Sequence, residues 1–121
     1  MYDNLNYNDK YRLRTKRFAV DIIHFYAKNC KQIEELRVIG KQLLRSGTSV
    51  AANFRAVTRA RSDAERYSKM CIVVEEIDET QFWFELIEEA DLLPLDTFQQ
   101  IKNEIDELVK IFTTSKANMK K

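Results

Sequence analysis

The chain has 121 residues, 45% of them hydrophobic, which suits one packed domain, and its formal net charge is only +1. Two glycines and one proline are too few for the tight turns of an all-β fold, so few and long helices are expected. No run of 18 apolar residues offers a membrane span. Met1-Tyr-Asp-Asn lacks the basic-then-apolar layout of a signal peptide, and the two cysteines, Cys30 and Cys71, read as reduced thiols, so a cytoplasmic chain is expected.

Residues 1 to about 9 are polar and predict a frayed start, with docking of the tyrosines as the alternative. The first helix runs from about Asp9 to Lys28, with Phe18, Ile22, Phe25 and Tyr26 recurring at helical spacing and Leu13 and Ile23 flanking them. The pattern breaks at Asn29 to Gln32. A second helix starts near Ile33. Its seam is Leu36, Gly40, Leu43, Gly47, Val50, Phe54 and Val57, with steps of 4, 3, 4, 3, 4 and 3. That phase passes unbroken through "RSGTSVAAN", residues 45 to 53, a stretch of poor helix formers that composition alone would make a loop. The preserved phase predicts helix, with Gly40 and Gly47 leaving room for a facing bulky side chain such as Trp83, Phe84 or Phe18. Thr48 and Ser49 then return their hydroxyls to the preceding turn. The bare stretch serves either tight helix packing or contact with a second subunit.

Ser62-Asp63-Ala64-Glu65 fits a capping box opening a third helix that runs to about Leu92, with Pro94 ending it. Its apolar set, Tyr67, Met70, Cys71, Val74, Ile77, Phe84 and Ile87 with Val73, Phe82, Trp83 and Leu86 beside them, is too broad for one seam. More than one neighbour is expected, a second subunit among them. Asp96-x-x-Gln99 resembles a second capping box. The fourth helix carries Phe98, Ile101, Ile105, Leu108 and Phe112, and the tail from about residue 114 onward reads as loose. Four amphipathic helices with short connections predict an all-α, antiparallel up-and-down four-helix bundle spanning residues 1–121.

The small net charge hides blocks of opposite sign. Residues 37 to 69 carry eight cations against two acids; residues 75 to 107 carry twelve acids against one lysine; "KYRLRTKR" adds five more cations. Such blocks suit pairing between helices or subunits, or a basic surface for a polyanion.

The segments "IGKQLLRSGTSVAANFRAVTRARS" and "YSKMCIVVEEIDETQFW" resemble the signature of the four-helix-bundle family of 23S ribosomal RNA intervening-sequence proteins. Gln42, Leu43, Leu44, Arg45, Ser46, Ser49, Val50, Ala51, Ala52, Asn53, Phe54, Arg59, Ser62, Tyr67, Lys69, Glu76, Glu79, Thr80 and Trp83 fall on that pattern. The resemblance covers about residues 12 to 112. Arg55-Ala56-Val57 departs where relatives often carry an acid and a small residue, and Asp78 stands where Ala is usual. The resemblance implies a four-helix bundle that assembles as a homopentamer, some members being encoded within insertions in ribosomal RNA genes. A similar bundle, the accessory variability determinant of diversity-generating retroelements, binds nucleic acid and a reverse transcriptase.

Arg45, Arg55, Arg59, Arg66 and Lys69 are the candidates for phosphate contacts to RNA or DNA, with RNA favoured. The competing reading pairs these cations with Glu75, Glu76, Asp78, Glu79 or Glu85, leaving a protein–protein scaffold that ignores nucleic acid. Gly47, Ser49, Asn53, Glu76, Glu79 and Trp83 are candidates for helix-packing or oligomer contacts, with Glu76, Glu79 and Thr80 reaching Arg45 or Asn53 and Asn53 orienting a partner across the bundle. No catalytic residue, metal or cofactor is expected. The acids lack the Glu-x-x-His pattern of bundle metal sites, since His24 is the one histidine. Cys71 lies on an apolar seam rather than in a reactive cleft. Neither a membrane nor a small-molecule substrate is expected as partner.

Overall fold

The computed structural model describes residues 6–121. Four helices follow one another: α1 Tyr7–Asn29, α2 Glu34–Thr58, α3 Asp63–Glu89 and α4 Gln99–Ala117, the last preceded by a 3-10 turn at Leu95–Thr97. Short connections set each helix antiparallel to its predecessor. α1 packs on α2, α2 on α3 and α3 on α4, while α1 and α4 touch only lightly. The result is the expected up-and-down four-helix bundle.

α1 begins two residues before the expected start. Asn6 caps it by accepting from the Asp9 amide at 2.8 Å. Residues 7–9 are therefore helical where the sequence predicts fraying; residues 1–5 lie outside the described residues. In α2 every seam residue from Leu36 to Val57 is buried, and the helix runs straight through residues 45–53. The room above the glycines is filled by Ile22 and Tyr26 of α1 and by Cys30 just after it, not by Trp83, Phe84 or Phe18. A Cβ at Gly47 would meet Ile22 Cγ1 at 2.9 Å, and one at Gly40 would meet Cys30 Cβ at 2.6 Å and Tyr26 Cδ1 at 2.7 Å. Ile22 and Tyr26 stand one turn apart on α1, so successive glycines of α2 face successive α1 side chains.

Ser62 caps α3 by accepting from the Glu65 amide at 3.1 Å. The return half of the box is missing, because Glu65 turns to Arg61 at 3.6 Å. α3 ends at Glu89, before the expected Leu92 and well before Pro94. Leu92 N–H donates to the Ile87 carbonyl at 3.0 Å and Asp91 N–H to the Glu88 carbonyl at 3.1 Å, a Schellman closure with Asp91 left-handed at φ 54°. Pro94 instead precedes the 3-10 turn.

The expected capping box at Asp96 and Gln99 does not form. Asp96 lies in the 3-10 turn, and Phe98 takes the N-cap position with no side-chain cap. The Phe98 ring is buried, with its centroid 5.5 Å from Phe84 and 6.4 Å from Phe25, and its burial fixes where α4 starts. The tail is also more ordered than expected. α4 continues to Ala117, Met119 packs on the core, and Lys121 lies over the Tyr67 ring at 5.7 Å. Phe112 holds this end down, its centroid 5.3 Å from Phe54 and 5.8 Å from Tyr11. Two aromatic clusters thus close the core: Tyr7, Tyr11, Phe54 and Phe112 at one end, and Phe25, Phe84 and Phe98 toward the other.

Candidate nucleic-acid interface

The five candidate phosphate contacts divide into two groups. Arg45 reaches α3, where Nη1 lies 3.1 Å from Glu76 Oε2 and Nη2 pairs with Glu79. Glu79 also accepts from Trp83 Nε1 at 3.0 Å. The Trp83 bond and the Arg45 guanidinium hold the Glu79 carboxyl below its ordinary value, and Glu79 in turn raises the pKa of Arg45. Beneath this trio Thr80 Oγ1 lies 2.8 Å from Ser46 Oγ, buried between α2 and α3. Arg45 is therefore engaged in a tie between the two helices. Ser46 and Thr80 both lie on the family pattern, and this buried bond between α2 and α3 gives the pair a packing role.

Arg55, Arg59, Arg66 and Lys69 have no carboxylate within ion-pair distance among the described residues. At about 1.5 Å rise per residue, Arg55 stands roughly 15 Å further along α2 than Arg45. These four cluster around the α2–α3 turn, where Arg55 and Arg59 are exposed and Arg66 and Lys69 half-buried. Up-and-down folding brings more cations to the same end. Tyr7 at the start of α1 bonds Ser115 near the end of α4 and feels the charge of Arg66. Lys10, Arg12, Lys116, Lys120 and Lys121 therefore join Arg55, Arg59, Arg61, Arg66 and Lys69. Those ten cations face three acids, Asp9, Asp63 and Glu65, in the same stretches. Two of the three acids already pair with Arg12 and Arg61. Lys10 and Arg12 come from the start of α1, Lys116 from the last turn of α4 and Lys120 and Lys121 from the residues after it, so only the folded topology brings them to the α2–α3 turn.

The remaining packing candidates lie within the chain. Gly47 receives Ile22. Asn53 Nδ2 donates to the Ser49 carbonyl at 3.0 Å and to Ser49 Oγ at 2.9 Å, a bond inside α2 instead of the expected one across the bundle. Helix α3 has one buried face, and Phe82 stands exposed outside it, its ring 5.1 Å from half-buried Trp83.

A groove of about 780 Å³ opens between α1 and α4 at the other end, lined in part by Asp21, His24, Asp96 and Glu104. Glu104 is occupied by Arg14 at 2.8 and 2.6 Å. Neither cysteine lines the groove. Cys30 is fully buried, which pushes its thiol up to about 11, and Cys71 is half-buried on α3. Among the described residues no group of three or more His, Cys, Asp or Glu side chains is placed to hold a metal ion, and no helix is long and apolar enough to cross a membrane.

The architecture defines an up-and-down helical bundle with one strongly basic end. Within that class, the model of the 23S rRNA-intervening sequence protein family matches residues 10–114, and the chain belongs to this family. It is similar in structure to a protein of unknown function from the S23 ribosomal protein family of Bacteroides thetaiotaomicron VPI-5482. The TM-score is 0.80 at 29% identity, over 92% of this chain and 98% of that one. No curated protein matches the chain. Neither description names an enzymatic activity.

Proposed function

We propose that this chain is a non-catalytic, cytoplasmic homo-oligomer, a pentamer by family resemblance, that binds nucleic acid through Arg55, Arg59, Arg66 and Lys69. RNA is favoured over DNA because the family is named for an insertion in ribosomal RNA. The observation that carries the reading is the unpaired state of these four side chains among the described residues, at an end where cations outnumber acids ten to three. Charges left without protein partners are available to phosphates, and releasing condensed counterions drives such binding. Arg45 enters the reading as a tie between α2 and α3.

The test is fluorescence anisotropy of nuclease-treated protein with structured RNA and duplex DNA across a salt series. Four phosphate contacts predict a log–log salt slope of about −3 to −4, and Arg55→Glu/Arg59→Glu lowers its magnitude by about 2. Unaltered binding in the variant would remove the basic end from the reading. No binding at low salt by the assembled wild type would leave a protein scaffold.

A further inference from the structure

Two outer faces of the bundle are unpartnered and complementary. α1 turns Leu13, Val20 and Ile23 outward, 39%, 40% and 46% exposed. Leu13 and Val20 are seven residues apart and exposed Ala27 continues the line, so they form one stripe along the helix. Lys16 and Arg17 flank it, exposed and without an ion partner among the described residues. α3 turns outward Glu75, Asp78, Phe82, Glu85 and Glu89, again at steps of 3 and 4 and all exposed. Phe82, 46% exposed, sits in the middle of four acids, none of which has an ion partner among the described residues. One face is apolar and basic, the other aromatic and acidic. α1 and α3 are not adjacent in the bundle, so one chain cannot lay the first face on the second.

We infer that the outer face of α1 in one copy docks on the outer face of α3 in a second copy. This rests on the homo-oligomer part of the proposed function and assigns its contact surface. The second copy is the occupant because it offers both required chemistries: an apolar stripe for Phe82, and cations for the acids that surround it. The contact is heterologous. Each copy uses α1 on one flank and α3 on the other, so repetition generates a ring when the rotation closes. The basic end lies at the helix termini and stays clear of both faces.

The experiment is light scattering on gel-filtered protein for four chains: wild type, Lys16→Glu/Arg17→Glu, Glu75→Lys/Glu85→Lys, and the chain carrying all four changes. Circular dichroism confirms helix content in each. The expected result is an assembled wild type, a mass falling to one chain in either charge-reversed variant, and reassembly when both faces are reversed together. Val20→Ser, which changes no charge, weakens assembly as well. A wild type that runs as a single chain overturns this contact together with the oligomer reading. An assembled wild type with all variants equally assembled overturns this contact alone.

Discussion

Gly40 and Gly47 show how much one missing Cβ decides. In an open helix, Gly→Ala would add about 1 kcal/mol of stability. Here the new carbon at Gly40 would come within 2.6 Å of Cys30 Cβ and 2.7 Å of Tyr26, and at Gly47 within 2.9 Å of Ile22. Overpacking of this kind costs about 1–3 kcal/mol, so steric conflict exceeds the propensity gain. Gly40→Ala is expected to lose about 1–2 kcal/mol in urea unfolding and Gly47→Ala less. A Gly40→Ala chain more stable than wild type would show that α1 yields freely. Glu79 gives a pH-dependent case. Trp83 and then Arg45 hold its folded pKa below the ordinary 4.5. A carboxyl depressed by folding adds stability above its unfolded value, and that stability fades as pH falls through the folded value. Glu79→Gln should therefore be less stable than wild type at pH 7, and the gap should close below pH 4.5; a gap unchanged by acid would mean the charge is irrelevant. The spacing of small residues was legible because a seam is periodic. The partner that fills it was not, since which α1 side chain meets which glycine depends on how the helices cross.

Helix ends were legible only where a side chain alone makes the cap. Ser62 does so with the Glu65 amide, as its position before an apolar run predicts. Asp96-x-x-Gln99 has the same pattern and no cap, because burying the Phe98 ring against Phe84 and Phe25 outweighs a surface hydrogen bond of about 1 kcal/mol. The end of α3 is a backbone device that neither Pro94 nor the apolar pattern reveals. Its left-handed residue is Asp91 at φ 54°, where glycine is the usual occupant. A non-glycine residue in this region costs about 1 kcal/mol or more. Asp91→Gly removes that strain, partly offset by the greater freedom glycine has when unfolded. A rise in stability of about 0.5–1 kcal/mol is expected in thermal or urea unfolding. A loss would mean the Asp91 side chain contributes more to this turn than its backbone strain costs.

The charge pattern changes meaning at the scale of the whole molecule. Read along the chain, residues 37–69 are basic and residues 75–107 acidic. Folded, Arg45 in the middle of the basic block is neutralised by Glu76 and Glu79, while Lys10 and Lys116 to Lys121, remote in sequence, join Arg55 to Lys69 at one end. A linear reading sees blocks; antiparallel helices convert them into ends and faces. The same topology ranks the helices by how firmly they are held. α2 lies between α1 and α3 and packs closely on both, whereas α4 leans mainly on α3 and leaves a groove of about 780 Å³ beside α1. Local opening follows the weakest packing, and the 3-10 turn with the uncapped start of α4 lies at that groove. Native-state hydrogen exchange should therefore find the greatest protection in α2 from Leu43 to Phe54 and the first sub-global opening in Leu95 to Ile101. Phe112→Ala removes the ring that meets Tyr11 and Phe54 and should widen this difference, releasing α4 at lower denaturant than α2. Equal exchange from α2 and α4 in that variant would mean the four helices open only together, as one cooperative unit.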